Sequence, residues 1–224
     1  MPPRLPPPSP KPDPALKRRA RRIFEKLAKA YPDAHCELDY QTPFQLLCAT
    51  ILSAQCTDKS VNRATPALFA AFPDAAALAK AKPAQVEKPI KTLGLYHNKA
   101  RFLIGMAQAL MAEHGGEVPK TREALVALPG VGRKTANVVL SNAFGLPGLA
   151  VDTHVLRVGQ RLGLFQSQDP VKVEQLLGVL MPPESWGQVS HWLIWHGRRI
   201  CVARKPACPA CVLQKDCPSR GLGS

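Results

Sequence analysis

No apolar run in the 224 residues approaches the roughly 20 that a membrane span requires, and no secretory core stands behind the first basic residue. A soluble intracellular protein is the expectation. There is no stretch of apolar-polar alternation long enough to make a sheet, and no repeat of the solenoid type, so the chain reads as nearly all α. Acid is the scarce charge. Sixteen Asp and Glu against 30 Lys and Arg leave a net +14 and a pI near 9.8, so an acidic partner is the first hypothesis, with DNA, RNA and an anionic membrane surface all fitting.

Residues 1–14 hold eight prolines and almost nothing that could form a core, which predicts a disordered or polyproline-like tail. From Ala15 the pattern is helical. A first helix over about 15–31 carries Lys17, Arg18, Arg19, Arg21 and Arg22 on its outer face and Ile23, Leu27 and Ala30 on the other. Thr42-Pro43-Phe44-Gln45 predicts a capped helix start, followed by an apolar segment to Ala54 that belongs in the centre of a domain. Further helices fit about 59–72, 74–80, 83–91, 97–114 and 121–127, then one from Gly132 to about 143, two opening at Asp152 and at Asp169-Pro170, and one over about 183–199. The stripe Trp186, Val189, Leu193 and His196 reads as core, and no catalytic role is assigned to His191 or His196.

Seven cysteines are an odd number, and four of them crowd into the last 24 residues. Cys36, Cys48 and Cys56 lie in or beside apolar stretches and are expected to be buried, inert thiols. Cys201, Cys208, Cys211 and Cys217 give C-x6-C-x2-C-x5-C in a segment too short and too rich in proline to fold alone, which predicts a structural metal site. Zinc and an iron-sulfur cluster both accept four cysteines, so spacing leaves the metal open. Arg204 and Lys205, inside the first cysteine loop, are candidates to contact phosphate.

Leu128-Pro129-Gly130-Val131-Gly132-Arg133-Lys134-Thr135-Ala136 joins two helices through two glycines, which permit a tight turn and close approach of another backbone. The helix that follows starts with outward N–H groups, an anion site suited to phosphate. With Ala136, Val139, Leu140 and Ala143 on its apolar stripe, Lys134 falls on the opposite side. The helix dipole disfavours a cation there and favours a neutral, nucleophilic amine, but it supplies only ~0.3–1 kcal/mol, so desolvation or cations such as Arg133 would have to add to it. A lysine that simply holds phosphate stands beside that reading. Asp152 of Val151-Asp152-Thr153-His154 reads equally as a helix cap and as a partner to Lys134. A helix to Ala143 carries the chain ~18 Å away, and the following loop can span ~24 Å, so Asp152 can return to the Lys134 end.

The glycine turn with its lysine, Val-Asp-Thr-His eighteen residues later and this cysteine spacing, in this order, resemble the endonuclease III family of helix-hairpin-helix DNA glycosylases from about Ala15 to Cys217. The resemblance implies an all-α, two-domain fold: a six-helix barrel domain with the helix-hairpin-helix motif over 37–147, and an iron-sulfur cluster domain from 15–36 and 148–224, with DNA gripped at the cleft between them. It implies a 4Fe-4S cluster on the four C-terminal cysteines. It also implies a base-excision enzyme, acting as a monomer in a bacterial cytoplasm beside the nucleoid, on double-stranded DNA bearing an oxidised pyrimidine or an abasic site. Lys134 would attack C1′ and displace the base, Asp152 would stabilise developing positive charge and help deprotonate the amine, and β-elimination from the Schiff base would cut the strand. Gly130, Val131, Gly132 and Arg133 would hold the backbone, while Gln55 and Leu95 match the two loops that fill the space left by a flipped nucleotide. Pro89 departs from the family pattern and is expected to shorten or kink the helix before the Leu95 loop. The alternatives are a monofunctional adenine glycosylase on the same scaffold, which lacks the lysine and uses a glutamate where Ser53-Ala54-Gln55-Cys56 offers none, and a non-enzymatic DNA-binding zinc protein.

Overall fold

Asp13 caps the first helix, α1 (Pro14–Ala30): its carboxylate accepts from the Ala15 N–H at 2.9 Å, and Pro14 takes the first helical position. The structure, a computed structural model, describes residues 13–221. The tail expected over 1–14 therefore lies outside the described residues up to residue 12, and its last two residues start α1 instead. Ten more α-helices follow among the described residues: α2 (Pro43–Leu52), α3 (Asp58–Ala71), α4 (Ala75–Ala79), α5 (Pro83–Ile90), α6 (Tyr96–His114), α7 (Arg122–Ala127), α8 (Arg133–Phe144), α9 (Thr153–Arg161), α10 (Pro170–Gly178) and α11 (Trp186–Arg199). There is no strand among the described residues. Local chemistry sets most starts. Thr42, Thr57, Asp74, Thr121, Asp152 and Asp169 each accept from an N–H two or three residues on. Gly115, with φ 60°, ends α6 after His114, and Gly145, with φ 64°, ends α8.

The chain divides into two compact units, with breaks between His35 and Cys36 and between Gly148 and Leu149. The inner unit holds α2 to α8, six segments of six residues or more and the five-residue α4. Every α2 residue from Leu46 to Leu52 is buried, and the helix packs against α3, α6 and α8. Leu68, Ile90, Leu103, Met106, Leu110 and Val139 complete a core in which each large side chain contributes about 1.5–3 kcal/mol on burial. Pro89 lies in the last turn of α5, which ends one residue later.

The other unit combines α1 with α9, α10, α11 and the cysteine-bearing segment. Its core is built from Ile23, Phe24, Leu27, Val155, Val158, Leu177, Val189, Leu193 and Leu213, and α11 packs on both α1 and α9. Two expectations for α1 are corrected. Ala30 is exposed, and Ala20 and Phe24 take the stripe instead. Arg19 is not part of a solvated face, because its guanidinium donates to the carbonyls of Leu162 at 2.7 Å, Gly163 at 2.5 Å and Asp216 at 3.3 Å. Lys26 adds an ion pair to the Asp216 carboxylate at 2.5 Å. These bonds tie α1 to the end of α9 and to Asp216 of the cysteine-bearing segment.

Candidate active site

α7 ends at Ala127, and the turn from Leu128 closes when the Val131 N–H donates to the Leu128 carbonyl at 3.1 Å. Gly130 has φ +76°, and a Cβ placed on it would stand 2.8 Å from the Cβ of Phe102, so both the backbone and the neighbour require glycine. Gly132 is the N-cap of α8 and offers no side chain to the first turn. The first N–H groups of α8 have no acceptor within the helix. Ala136, Val139 and Leu140 are buried beneath, Val131 is buried beside the turn, and Arg133 is half-buried. Lys134 is exposed, and among the described residues its amine has no hydrogen bond or ion pair.

Asp152 is half-buried at the start of α9, where a single oxygen, Oδ1, accepts from the N–H groups of His154 and Val155, both at 2.8 Å. Oδ2 has no hydrogen bond among the described residues. Capping and chemistry thus do not compete, since one oxygen is used by the fold and the other is left available. Two residues on, His154 Nδ1 accepts from the Arg157 guanidinium at 3.1 Å. Burial, the largest cause, lowers the His154 pKa from its ordinary value; the Asp152 carboxylate pulls it back up, the charges of Arg157 and Arg198 press it down again, and the Gly197 backbone raises it slightly.

The four C-terminal cysteines line one cavity, together with Val158, Arg161, Leu162 and His196. Arg161 donates to the Cys201 Sγ at 3.4 Å and to the carbonyls of Val202 at 2.8 Å and Ala203 at 2.9 Å, and so holds the first cysteine loop. The Leu213 N–H donates to the Cys211 Sγ at 3.4 Å. Burial raises the Cys211 and Cys217 thiols, and the other cysteines of the group add to the effect. No three His, Cys, Asp or Glu side chains among the described residues close on a point as ligands of a single ion would; the thiols surround a cavity instead. His196 is 2 % exposed, its Nδ1 shares a hydrogen bond with the Tyr31 hydroxyl at 3.0 Å, and burial lowers its pKa to about 4. Arg204 and Lys205 are exposed within the first cysteine loop, Lys205 with φ 51°.

Gln55, between α2 and α3, and Leu95, before α6, are exposed loop residues with left-handed backbone, φ 55° and 59°. Beside them stands a contact that the sequence reading missed: the Lys99 Nζ donates to the Cys56 Sγ at 2.9 Å, and Lys99 is only 3 % exposed. The thiol expectation is corrected accordingly. Cys48 is buried and its pKa is pushed up by desolvation, but Cys36 and Cys56 are half-buried, and Cys56 accepts from a lysine. One signal was present in the sequence, because Lys99 precedes Leu103, Met106 and Leu110 at the spacing of the α6 apolar stripe.

Residues 48–183 match the model of the HhH-GPD superfamily base excision DNA repair protein family. The chain is 52% identical over 204 residues to the endonuclease III of Synechocystis sp., covering 91% of this chain and 93% of that one. Two solved structures each superpose with a TM-score of 0.87 at 45% identity: a non-covalent endonuclease III–DNA complex, covering 91% of this chain and 95% of that one, and a trapped endonuclease III–DNA covalent intermediate, covering 91% and 96%.

Proposed function

Because the chain belongs to the endonuclease III family, DNA glycosylases and abasic-site lyases of base excision repair, we propose that Lys134 is its nucleophile, Asp152 the partner acid, and an oxidised pyrimidine or an abasic site in double-stranded DNA its substrate. The observation that carries this is the exposed amine of Lys134, without a partner among the described residues, in the first turn of a helix that has no side-chain cap and follows a glycine turn. Phosphate of the bound strand takes the N–H groups of that turn, with Gly130, Val131, Gly132 and Arg133 fixing the register. Lys134 attacks C1′, the base leaves, and the ring-opened sugar is held as a protonated Schiff base. Removal of a C2′ proton then expels the 3′ phosphate. The free Oδ2 of Asp152 stabilises positive charge and takes a proton from the amine, while Oδ1 keeps α9 capped. Gln55 and Leu95 fill the space of the flipped nucleotide, and Arg204 and Lys205 hold phosphate.

Cys201, Cys208, Cys211 and Cys217 hold a 4Fe-4S cluster in this proposal. Four thiols around one cavity, with the Leu213 N–H and the Arg161 guanidinium donating to sulfur, fit the electron-rich sulfurs of such a centre. When bound, the cluster staples the C-terminal segment and takes no part in the sugar chemistry. The protein acts as a monomer.

Borohydride reduction during turnover of an abasic duplex tests the proposal. A covalent protein–DNA adduct is expected with the native chain and none with Lys134→Ala. No adduct from the native chain would leave a DNA-binding protein without lyase activity.

A further inference from the structure

We infer that Lys99 and Cys56 form a clamp that sets the two wedge residues, Gln55 and Leu95, in register, and so are positioning residues for opening the duplex. This rests on the assignment of Gln55 and Leu95 as the residues that fill the vacated space.

The two wedge residues sit on separate loops, one joining α2 to α3 and the other α5 to α6. Both are left-handed without being glycine, a strained conformation that persists only where the surroundings over-determine it. Local bonds hold part of each turn: the Leu95 carbonyl accepts the first bond of α6, and the Gln55 loop is closed by the Cys56 N–H on the Ser53 carbonyl at 3.0 Å.

Lys99 grips both. Its backbone N–H donates to the Leu95 carbonyl at 3.0 Å, and its side chain reaches the Sγ of Cys56, the residue next to Gln55, at 2.9 Å. Lys99 as a residue is 3 % exposed, an amine so placed is costly to bury without an acceptor, and Cys56 is the one it has among the described residues. Moving either loop therefore breaks a bond whose donor water cannot readily reach. To the packing of α2, α3, α5 and α6 that sets the loops side by side, this side chain adds one direct link between them. A wedge misplaced by about 1 Å can cost as much as ~100-fold in rate.

The full-length protein and its Lys99→Met, Cys56→Ala and Cys56→Ser variants decide the matter, each checked for native helix content and melting midpoint. Two substrates are compared: an abasic strand in duplex and the same strand alone, which needs no wedge. A fluorescent base analogue opposite the abasic site reports opening of the bound duplex without any chemistry. Duplex cleavage and the fluorescence rise should fall about tenfold or more for Lys99→Met and Cys56→Ala. Cys56→Ser, which keeps an acceptor, should retain most of both, and single-strand cleavage should be unchanged throughout. Equal losses on both substrates, or no loss on the duplex, would overturn the clamp. If the native protein cleaves neither strand, the lyase proposal fails, and the fluorescence signal still decides the clamp.

Discussion

Gly130 rests against the ring of Phe102: a Cβ at that position would lie 2.8 Å from the Phe102 Cβ and 2.9 Å from Cγ, and the residue's φ is +76°. Gly130→Ala should therefore lower stability by about 1–3 kcal/mol, read from denaturant midpoints, because strain and overlap coincide at one atom. Loss of affinity for an abasic duplex should accompany it, since the same turn aims the first N–H groups of α8. An unchanged midpoint would show that Phe102 can withdraw.

Asp152 offers a separation of folding from chemistry. Asn at this position keeps an oxygen for the His154 and Val155 N–H groups, so Asp152→Asn should melt as the native protein does while single-turnover cleavage falls about 10²–10⁴-fold. Ala removes the cap as well, and should cost about a further 1 kcal/mol of stability. Equal cleavage by the Asn variant would confine Asp152 to its capping role.

His154 gives a pH signature. Its pKa lies below the ordinary 6.5, chiefly through burial, and Asp152, Arg157 and Arg198 are the charged groups acting on it. The unfolded chain takes up the proton near 6.5 and the folded chain only at lower pH, so stability is intact above 6.5 and declines as pH falls from there toward the folded value. Proton NMR titration should give a midpoint under 6.5 for the His154 ring. A midpoint above it would mean that the Asp152 carboxylate outweighs burial.

The cysteine centre is tested by optical spectroscopy. Aerobically purified native protein should show the broad yellow-brown absorption of a 4Fe-4S cluster, and Cys211→Ser should lose it with a drop in melting temperature. A colourless native protein carrying stoichiometric zinc would replace the cluster assignment.

The helical class and most helix ends were legible in the sequence because they follow from short-range chemistry: Thr42 before Pro43, Asp169 before Pro170 and Gly115 after His114 act on their own neighbours. The exposed Lys134 followed from the spacing of Ala136, Val139 and Leu140. What spacing could not supply is partnership over long separations. Nothing near Arg19 announces carbonyls at Leu162 and Gly163, and nothing near Cys56 announces an amine from residue 99. The expectation of burial held for Cys48 and failed for Cys36 and Cys56, for a related reason. Apolar neighbours in sequence describe a helix such as α2, where Cys48 sits, but not the loops that carry Cys36 and Cys56.

Because α1 is held by residues that leave the ribosome more than a hundred positions later, synthesis imposes an order on assembly. The inner unit has every one of its own contacts once Gly148 has emerged. Ile23, Phe24 and Leu27 stay uncovered until α9 to α11 follow, on a strongly basic helix that is sticky toward both nascent hydrophobic surface and nucleic acid. Premature termination after Gly148 should yield a polypeptide with a finished middle and an orphaned leading helix, a natural client for chaperones.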